Sequence, residues 1–325
     1  MLCLLACSGG FEADPLVEYS TDVVVGGTQP PTLVRQLDAG TYLLEIRERD
    51  IDLRVAIDDG TSRTELADAF LRHGLHRTVV SLRAPARLRI TLSSTDQRSW
   101  KGAAAVRILR WPKRAPDAPP DDRLLGFRAL GEANSLIAQG NSEAWRAALA
   151  PLREASRRFQ AANDLQALAE TEYQRGWLER SLLFDFDASR RTATAALGHF
   201  RAVGDSIGAQ RAALLLGLDE FSIAAGMGPA VPRAEQRTLL DTATRRMTEN
   251  QAFFEAREME TDALAALDAS RTREDVLGRS EESLSVYETM RRRARQRGDQ
   301  YFEVAATQKL GYIARRRGDV VRAAA

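Results

Sequence analysis

Two patterns of apolar and polar residues divide the chain into a first third and a remainder. From Leu16 to Trp111 apolar and polar positions alternate, as they do in strands that bury one face. Turn residues at 38–40 and 58–60 separate the alternating stretches. The stretches cover residues 23–25, 33–37, 42–46, 51–57, 79–83, 88–92 and 106–108. About seven short strands in fewer than about 100 residues predict an antiparallel β-sandwich.

Beyond residue 123 the alternation gives way to apolar residues at helical spacing. In the clearest helix, Phe302, Leu310 and Ile313 fall on one stripe. Three arginines at 315–317 follow in the C-terminal turn, where cations suit the helix dipole. The other predicted helices cover residues 124–139, 143–159, 165–183, 188–202, 207–224, 235–249, 252–269 and 276–297. The second part is therefore predicted to be all-α.

The helix boundaries recur at a regular spacing. A Gly-Asp or Asn-Asp pair, suited to end one helix and cap the next, begins 13 residues before a glycine inside the following helix. The pairs and their helix glycines are Asn163-Asp164 with Gly176, Gly204-Asp205 with Gly217, and Gly298-Asp299 with Gly311. A weaker unit places Asn250 before Ala263, and Gly131 marks a degenerate first unit. These anchors are 45, 41, 46 and 48 residues apart, so each period predicts a helix pair.

The last unit carries a Leu-Gly pair, a Gly-Asp turn and a later alanine at Leu310-Gly311, Gly318-Asp319 and Ala323. It resembles the tetratricopeptide repeat, and the resemblance covers residues 123–325. The period is longer than the roughly 34 residues of the family. The resemblance implies a right-handed superhelical solenoid in which small residues let paired helices cross closely. It also implies a concave groove that binds a protein or a peptide.

Five positions around the inner glycine line the groove in that family. Transferred onto this chain, they give the candidate partner-binding residues Glu170, Tyr173, Trp177, Arg180, Gln308, Tyr312, Arg315 and Arg316. Aromatic residues and arginines are typical of protein-binding hot spots. The alternative is that Tyr173 and Trp177 pack against neighbouring helices. The same positions around Gly217, predicted to be core rather than groove, are Arg211, Leu214, Leu218, Phe221 and Ser222.

The first part of the chain has a resemblance of its own. The sequence LDAGTYLLEIRERDIDLRVAIDDG, residues 37–60, is similar to the pre-peptidase C-terminal type of β-sandwich in secreted bacterial peptidases. The sequence TELADAFLRHG, residues 64–74, is expected to insert a helical turn. The proline-rich residues 113–122 are predicted to form an extended spacer. The predicted domains are a lipidation segment at 1–15, a sandwich at 16–112, the spacer and the repeats at 123–325.

Both cysteines lie in the first seven residues, as Cys3 and Cys7. We therefore expect neither a disulfide nor cysteine metal ligands in the folded body. The sequence LLAC, residues 4–7, resembles a bacterial lipoprotein processing site, which implies a lipid on Cys7 and a periplasmic or membrane-anchored protein. The basic region of a secretory signal does not precede it. A cytoplasmic location is expected if Cys7 is not processed.

Charge and candidate chemistry exclude several functions. With 46 basic and 45 acidic side chains the net charge is +1, which does not favour nucleic acid. No run approaches the ~18 apolar residues of a transmembrane span. His73 and His76 have metal spacing but lack further ligands, so they are predicted to be surface residues, and His199 lies near a helix C-terminus. Asp185 and Asp187 suit a helix cap. We expect no catalytic residues, metal or cofactor.

We therefore expect a non-enzymatic scaffold that binds a protein or a peptide on its concave face. Two alternatives stay open. The repeats also resemble arrays that precede a caspase-like CHAT domain in bacterial proteins, which implies a sensor arm for a protease whose catalytic residues lie outside this sequence. Alternatively, the sandwich binds carbohydrate or a cell surface. The final helix breaks off after VVRAAA, so we expect the sequence to be a fragment of a longer protein.

Overall fold

The computed structural model describes residues 14–26, 29–67, 74–95, 102–113, 120–228, 230–276 and 280–318, without the side chains of 271–282. Its first part forms an antiparallel β domain. The strands are β1 (Leu16–Val25), β2 (Thr32–Leu37), β3 (Gly40–Arg49), β4 (Leu53–Asp58), β5 (Arg63–Leu66), β6 (Leu75–Leu82), β7 (Ala86–Ser94) and β8 (Gly102–Arg110).

The strands form two four-stranded antiparallel sheets. The strand orders are β1-β8-β3-β6 in the first sheet and β2-β7-β4-β5 in the second. Alternate residues of both sheets, such as Leu44 on β3, Val55 on β4 and Leu88 on β7, are fully buried in one apolar core. The antiparallel β domain predicted from the alternating pattern is therefore confirmed.

The helical insertion predicted at residues 64–74 is wrong for its first residues, which belong to β5. Here β4 and β5 form a hairpin in which Val55 pairs with Leu66. The carboxylate of Asp59 holds the turn, because it accepts the backbone N–H groups of Thr61 at 2.8 Å and Ser62 at 2.7 Å. Hydrogen bonds from Thr61 and Ser62 lower the pKa of Asp59 to about 2. Residues 68–73 lie outside the described part.

The second part of the chain is helical, as predicted. The helices are α1 (Asp122–Ala138), α2 (Ser142–Ala161), α3 (Leu165–Trp177), α4 (Phe186–Ala202), α5 (Ser206–Ala224), α6 (Arg233–Glu255), α7 (Glu260–Val276), α8 (Ser280–Arg297) and α9 (Gln300–Arg316). A π-helical turn, Leu178–Leu182, continues α3. Each helix packs against the helices before and after it in the chain, and α5 also contacts α3 and α7.

The predicted helix punctuation is confirmed at three turns. Asn163, Gly204 and Gly298 have φ values of 54°, 74° and 71°, in the left-handed region that ends a helix. The aspartate after each one caps the next helix by accepting a backbone N–H group at 2.8–3.1 Å. The capping residues are Asp164, Asp205 and Asp299.

The helix boundary predicted at Asn250 is wrong. Asn250 lies inside α6, is almost fully buried, and donates from Nδ2 to the carbonyl of Arg246 at 2.8 Å. The turn comes later, at Glu258, which has a φ of 56°. Asparagine favours helix ends because its side chain bonds nearby backbone, and here that bond is made within the helix instead.

Two predicted helix glycines lie where helices cross closely. A Cβ atom at Gly176 would lie 3.7 Å from the backbone N of Ala193 in α4, and one at Gly217 would lie 3.5 Å from the carbonyl of Ala243 in α6. Gly131 differs, because its Cβ would overlap Thr78 on β6 rather than a paired helix. Gly131, which marks the degenerate first unit in the sequence, therefore lies against the sheet rather than against a paired helix.

The two parts of the chain share an apolar core. Leu43, Leu109 and Trp111 from the outer side of the first sheet are buried together with Phe127 and Leu130 of α1. Strand β3 is thus buried on both faces at Leu43, while Arg47 and Arg49 farther along its outer face are exposed. The alternation on β3 predicted only one buried face, since it does not reveal that a helix covers the other.

The segment predicted to be an extended spacer has its two ends joined. The indole N–H of Trp111 donates to Asp121 at 2.8 Å. Residues 114–119 lie outside the described part.

Later helices also reach the sandwich. Thr261 at the start of α7 donates to Asp50 at the end of β3, and Arg297 lies 3.7 Å from the same carboxylate. Tyr301 of α9 packs against the core between the two sheets. The sandwich therefore contacts both the first and the last helices of the described array.

Candidate functional site

A cleft of about 340 Å³ opens between α3, α5, α7 and α9. We call it the inner cleft. Aromatic and aliphatic side chains make most of its lining, with two arginines among them. The lining residues on which the argument depends are Tyr173, Trp177, Arg180, Arg211, Leu218 and Phe221. A concave, mostly apolar cavity with a few fixed polar groups is the usual form of a ligand site.

Two aromatic residues of α3 form one wall of the inner cleft. Tyr173 and Trp177 are four residues apart, so they project from the same face of the helix. Their rings meet edge to face with centroids 6.4 Å apart. Tyr173 also meets Phe200 of α4, with centroids 6.2 Å apart. Both rings are only partly buried. They pack against the helix behind them, as the alternative drawn from the sequence has it, and they also face the cleft.

The π-helical turn after α3 carries Arg180 into the cleft wall. The wider turn is closed by the N–H group of Leu183, which donates to Leu178 at 3.1 Å. Such turns shift the following side chains around the helix and are frequent at functional sites. Arg180 donates from Nη1 to Asp219 at 2.8 Å and from both Nη atoms to Ser222 at 3.2 Å. Its direction is therefore fixed by α5.

Asp219 is the buried counter-charge of Arg180. It is fully buried, and its second oxygen accepts a hydrogen bond from Ser189 at 2.6 Å. Burial raises the pKa of Asp219 to about 6, against the opposing effects of Ser189 and Arg180. The carboxylate thus neutralises the arginine from behind the cleft wall.

Arg211 is fixed in the same way on the opposite side. Its Nε and Nη2 atoms donate to the two oxygens of Asp262 at 2.8 and 2.9 Å. This forked pair joins α5 to α7, and such planar pairing is the strongest geometry for an arginine and a carboxylate. Because both arginines of the lining are paired, they leave little unbalanced positive charge in the cleft, whose lining also includes the carboxylates of Asp262 and Asp268.

A second cleft of about 260 Å³ continues from the first, since Tyr173 and Arg211 line both. It lies between the helices and the sandwich. Here Glu170 of α3 binds the guanidinium of Arg77 on β6 and lies 3.7 Å from Arg47 on β3. The sandwich therefore occupies the part of the helix face next to the inner cleft.

The predicted partner-binding residues fall into three groups. Tyr173, Trp177 and Arg180 line the inner cleft. Glu170 lines the second cleft and is bound by the sandwich. The four residues on α9 are exposed and line neither cleft; they are Gln308, Tyr312, Arg315 and Arg316. The structure thus brings three of the eight together.

The prediction that the positions around Gly217 are core is confirmed for Leu214, Phe221 and Ser222, which are buried, but the contrast with a groove is wrong. All five line the inner cleft, namely Arg211, Leu214, Leu218, Phe221 and Ser222. Leu214 and Phe221 are buried as well, because the cleft floor is continuous with the helix core. The groove positions transferred from the resemblance did indicate this, because the same positions around Gly176 supply the opposite wall of the inner cleft. Hydrophobicity alone could not separate a cleft floor from a core.

Two of the three histidines are described, and neither is a free surface group. His76 is fully buried on β6, with Nε2 3.0 Å from the carboxylate of Glu48, so the surface prediction is wrong for it. It lies in a strand, where alternate residues face the core. His199 is in the last turn of α4, as predicted, 3.4 Å from Glu172. His73 lies outside the described residues.

The two aspartates at the start of α4 have structural partners. Asp185 accepts the backbone N–H of Ala188 at 3.0 Å and caps the helix, as predicted. Asp187 pairs with Arg190 and Arg191. Among the described residues, no group of three His, Cys, Asp or Glu side chains is arranged to hold a metal ion.

No helix in the described part of the chain is long and apolar enough to cross a membrane. Cys7, the candidate for lipidation, lies outside the described residues. No family model matches the chain, and no curated protein matches it.

Proposed function

We propose that this chain is a peptide-binding module and that the inner cleft anchors one apolar side chain of the peptide. In this proposal the helix pairs form a superhelical array, as the resemblance to the tetratricopeptide repeat implies. The observation that carries the proposal is the inner cleft, whose aromatic and arginine walls come from equivalent positions around Gly176 and Gly217.

The size and charge of the inner cleft define its occupant. Its volume of about 340 Å³ is at the small end of the roughly 300–1,000 Å³ of ligand pockets. It therefore suits one or two side chains of an extended peptide rather than a folded domain. The paired arginines Arg180 and Arg211 leave no positive charge to neutralise an acidic anchor. A large apolar residue such as leucine or phenylalanine is the expected anchor.

The environment of the Asp219 carboxylate supports a role in binding rather than in catalysis. Asp219 has a raised pKa, which is common for acid–base catalysts. However, it is fully buried and bonded to both Ser189 and Arg180. A catalytic acid must reach the substrate, and this one lies behind the cleft wall. Its proposed role is to hold Arg180.

Selection of peptides on the intact chain tests this function. Random linear peptides displayed on phage are selected against the chain, and the affinity of each enriched peptide is measured by calorimetry. We expect enriched peptides to share a large apolar residue. Replacing Trp177 with alanine removes part of the aromatic wall and is expected to weaken binding about 30-fold, as for a hot-spot residue.

A variant that fills the inner cleft shows whether peptides bind there or on another surface of the chain. Ala265 lines the inner cleft and is partly buried, so Ala265→Trp places a large ring inside it. We expect this variant to lose peptide binding, whereas Tyr312→Ala on the exposed part of α9 keeps wild-type affinity. Thermal unfolding shows whether each variant is folded. Equal affinity of the enriched peptides for folded Ala265→Trp and wild type would contradict the proposal.

A further inference from the structure

A separate cleft of about 710 Å³ lies between α4, α5 and α6 and shares no lining residue with the inner cleft. Four arginines line it, with a single acidic residue, Glu220. The arginines are Arg190, Arg191, Arg201 and Arg246. We call it the arginine cleft. The chain as a whole has a net charge of only +1, so this is a local concentration of positive charge.

The internal ion pairs do not neutralise the arginine cleft. Arg190 and Arg191 share one carboxylate, that of Asp187. Arg246 donates to Glu220 at 3.0 Å. Arg201 makes no ion pair with any described residue. Two carboxylates therefore serve four guanidinium groups, and N–H donors at the rim of the cleft remain available to an external acceptor.

The floor of the arginine cleft is formed by Leu197 and Leu216 beside Gly198, and both leucines are largely buried in the helix core. Gly198 is inside α4, where glycine weakens a helix relative to alanine. A Cβ atom there would meet nothing within 4 Å, whereas one at Gly208 would lie 2.5 Å from the Phe200 ring. Internal packing therefore does not require glycine at 198, and its missing side chain leaves room on the cleft side.

The distance along α4 between the outermost arginines of the arginine cleft distinguishes between possible ligands. Arg190 and Arg201 are separated by three turns of α4, or about 16 Å at 1.5 Å per residue. A single phosphate covers only a fraction of that distance. An extended peptide of about five residues spans it, at 3.3–3.6 Å per residue. The apolar floor matches side chains better than it matches a phosphodiester backbone.

We infer that the arginine cleft binds an extended acidic peptide segment. Its carboxylates pair with Arg191 and Arg201, its backbone lies against Gly198, and an apolar side chain rests on Leu197 and Leu216. Arginine forks and carboxylates are geometrically matched for this pairing. The site is independent of the peptide anchor in the inner cleft.

Fluorescence anisotropy on the intact chain tests the inference. The probe is a fluorescein-labelled peptide of alternating glutamate and leucine, and its control replaces every glutamate with glutamine. We expect Arg201→Gln to weaken binding about two- to fivefold, as for an exposed ion pair. Arg191→Gln combined with Arg201→Gln should weaken it about tenfold if the losses add. Added salt should weaken the charged peptide only.

Three further variants locate the site. Gly198→Leu fills the space above the floor and is expected to weaken binding more than tenfold, with an unchanged helical signal. Arg89→Gln removes the same charge from an exposed position on β7 and is expected to have no effect. Ala265→Trp in the inner cleft is also expected to leave this affinity unchanged.

Three results would overturn the inference. The first is equal binding of the glutamine peptide. The second is an effect of Arg89→Gln as large as that of Arg201→Gln, which indicates attraction without a defined site. The third is a single-stranded oligonucleotide or inorganic polyphosphate that binds more tightly than the acidic peptide and depends on the same arginines and on Gly198.

Discussion

Several carboxylates of the helical part are buried beside basic side chains rather than exposed. Burial raises the pKa of Glu172, Glu179, Asp219 and Glu220, and the nearby basic groups lower it in part. Asp219 has the clearest geometry, between Arg180 and Ser189. Such pairs orient side chains precisely, but they cost desolvation energy. The stability of the helical part should therefore depend on pH.

The direction of this dependence follows for Asp219. The pKa of its carboxyl group is about 6 in the folded chain and about 3.9 when unfolded. Between these values the folded state binds a proton that the unfolded state lacks, so the free energy of unfolding rises as pH falls from 7 towards 4. We expect this contribution to be about 1–3 kcal/mol, and to be absent in Asp219→Asn.

Denaturant unfolding of both chains at pH 7 and pH 5 measures this effect. The stability advantage of the wild type over Asp219→Asn should increase at the lower pH. Asp187→Asn is the matched control, because Asp187 is partly exposed and pairs with arginines on its own helix. An advantage that shrinks on acidification would contradict the assignment of a raised pKa to Asp219.

Glu48 gives a second prediction for a single residue. Its buried carboxylate accepts the backbone N–H groups of Leu53 at 2.6 Å and Gly74 at 2.7 Å, and it lies 3.0 Å from His76. Glu48→Ala leaves both N–H groups buried without this acceptor, at about 1–3 kcal/mol each. We therefore expect a loss of about 2–5 kcal/mol in the free energy of unfolding.

Two comparisons make this measurement specific. Glu48→Gln keeps one accepting oxygen and should lose less than Glu48→Ala. Glu65→Ala removes an exposed carboxylate that pairs with Arg54 and Arg63, and it should change stability by less than about 1 kcal/mol. If Glu48→Ala and Glu65→Ala were equally stable in denaturant, the hydrogen bonds from Glu48 to the backbone at Leu53 and Gly74 would not stabilise the fold.

At the scale of helices, glycines in similar sequence contexts have different roles. Gly176 lies at the crossing of α3 and α4, where its Cβ would be 3.0 Å from Leu215. Gly198 has open space instead. We expect Gly198→Ala to raise the free energy of unfolding by about 0.5–1 kcal/mol through helix propensity. Gly176→Leu should lower it by about 1–3 kcal/mol through overpacking.

Thermal unfolding monitored by circular dichroism compares these two variants directly. The helical signal before unfolding should be unchanged in Gly198→Ala. Gly176→Ala is the intermediate case, because the Leu215 side chain can move by a few tenths of an ångström. A Gly176→Leu chain that melts at the wild-type temperature would show that the crossing does not need a small residue.

Local sequence signals predicted the helices and their caps better than they predicted contacts between distant residues. The caps at Asp164, Asp205 and Asp299 depend on neighbouring residues only, and they were predictable from sequence. The turn at Glu258 was not, because a positive φ at glutamate has no sequence signal. The ion pair between Arg77 and Glu170 joins residues 93 positions apart, so no local pattern could indicate it.

The candidate site was partly predictable for the same reason. The positions transferred from the resemblance gave Tyr173, Trp177 and Arg180, which line the inner cleft together with the matching positions around Gly217. It could not show that α9 turns Tyr312 and Arg316 away from the inner cleft, because that depends on the packing of the whole array. The arginine cleft was not predicted, since its arginines come from two helices, α4 and α6.

For the whole molecule, the contact between sandwich and helices changes the expected stability. An array whose units contact only their neighbours has a stability that is roughly a sum over units. Here α1 shares a core with β3 and β8, and α7 and α9 also reach the sandwich. We therefore expect the two parts to stabilise each other, and binding experiments should use the intact chain.

Gly131→Leu tests this coupling at the point where α1 meets β6. A side chain at 131 would overlap Thr78, so leucine must push the helix away from the sheet. The expected loss in the free energy of unfolding is about 1–3 kcal/mol. Hydrogen exchange should show weaker protection in β3, β6 and β8 as well as in α1, because the shared core opens on both sides.

Gly198→Leu makes the same change where a Cβ meets nothing within 4 Å, and it should leave the protection of the strands unchanged. Loss of protection in α1 alone, with wild-type protection in all three strands, would mean that the sandwich does not depend on the helices.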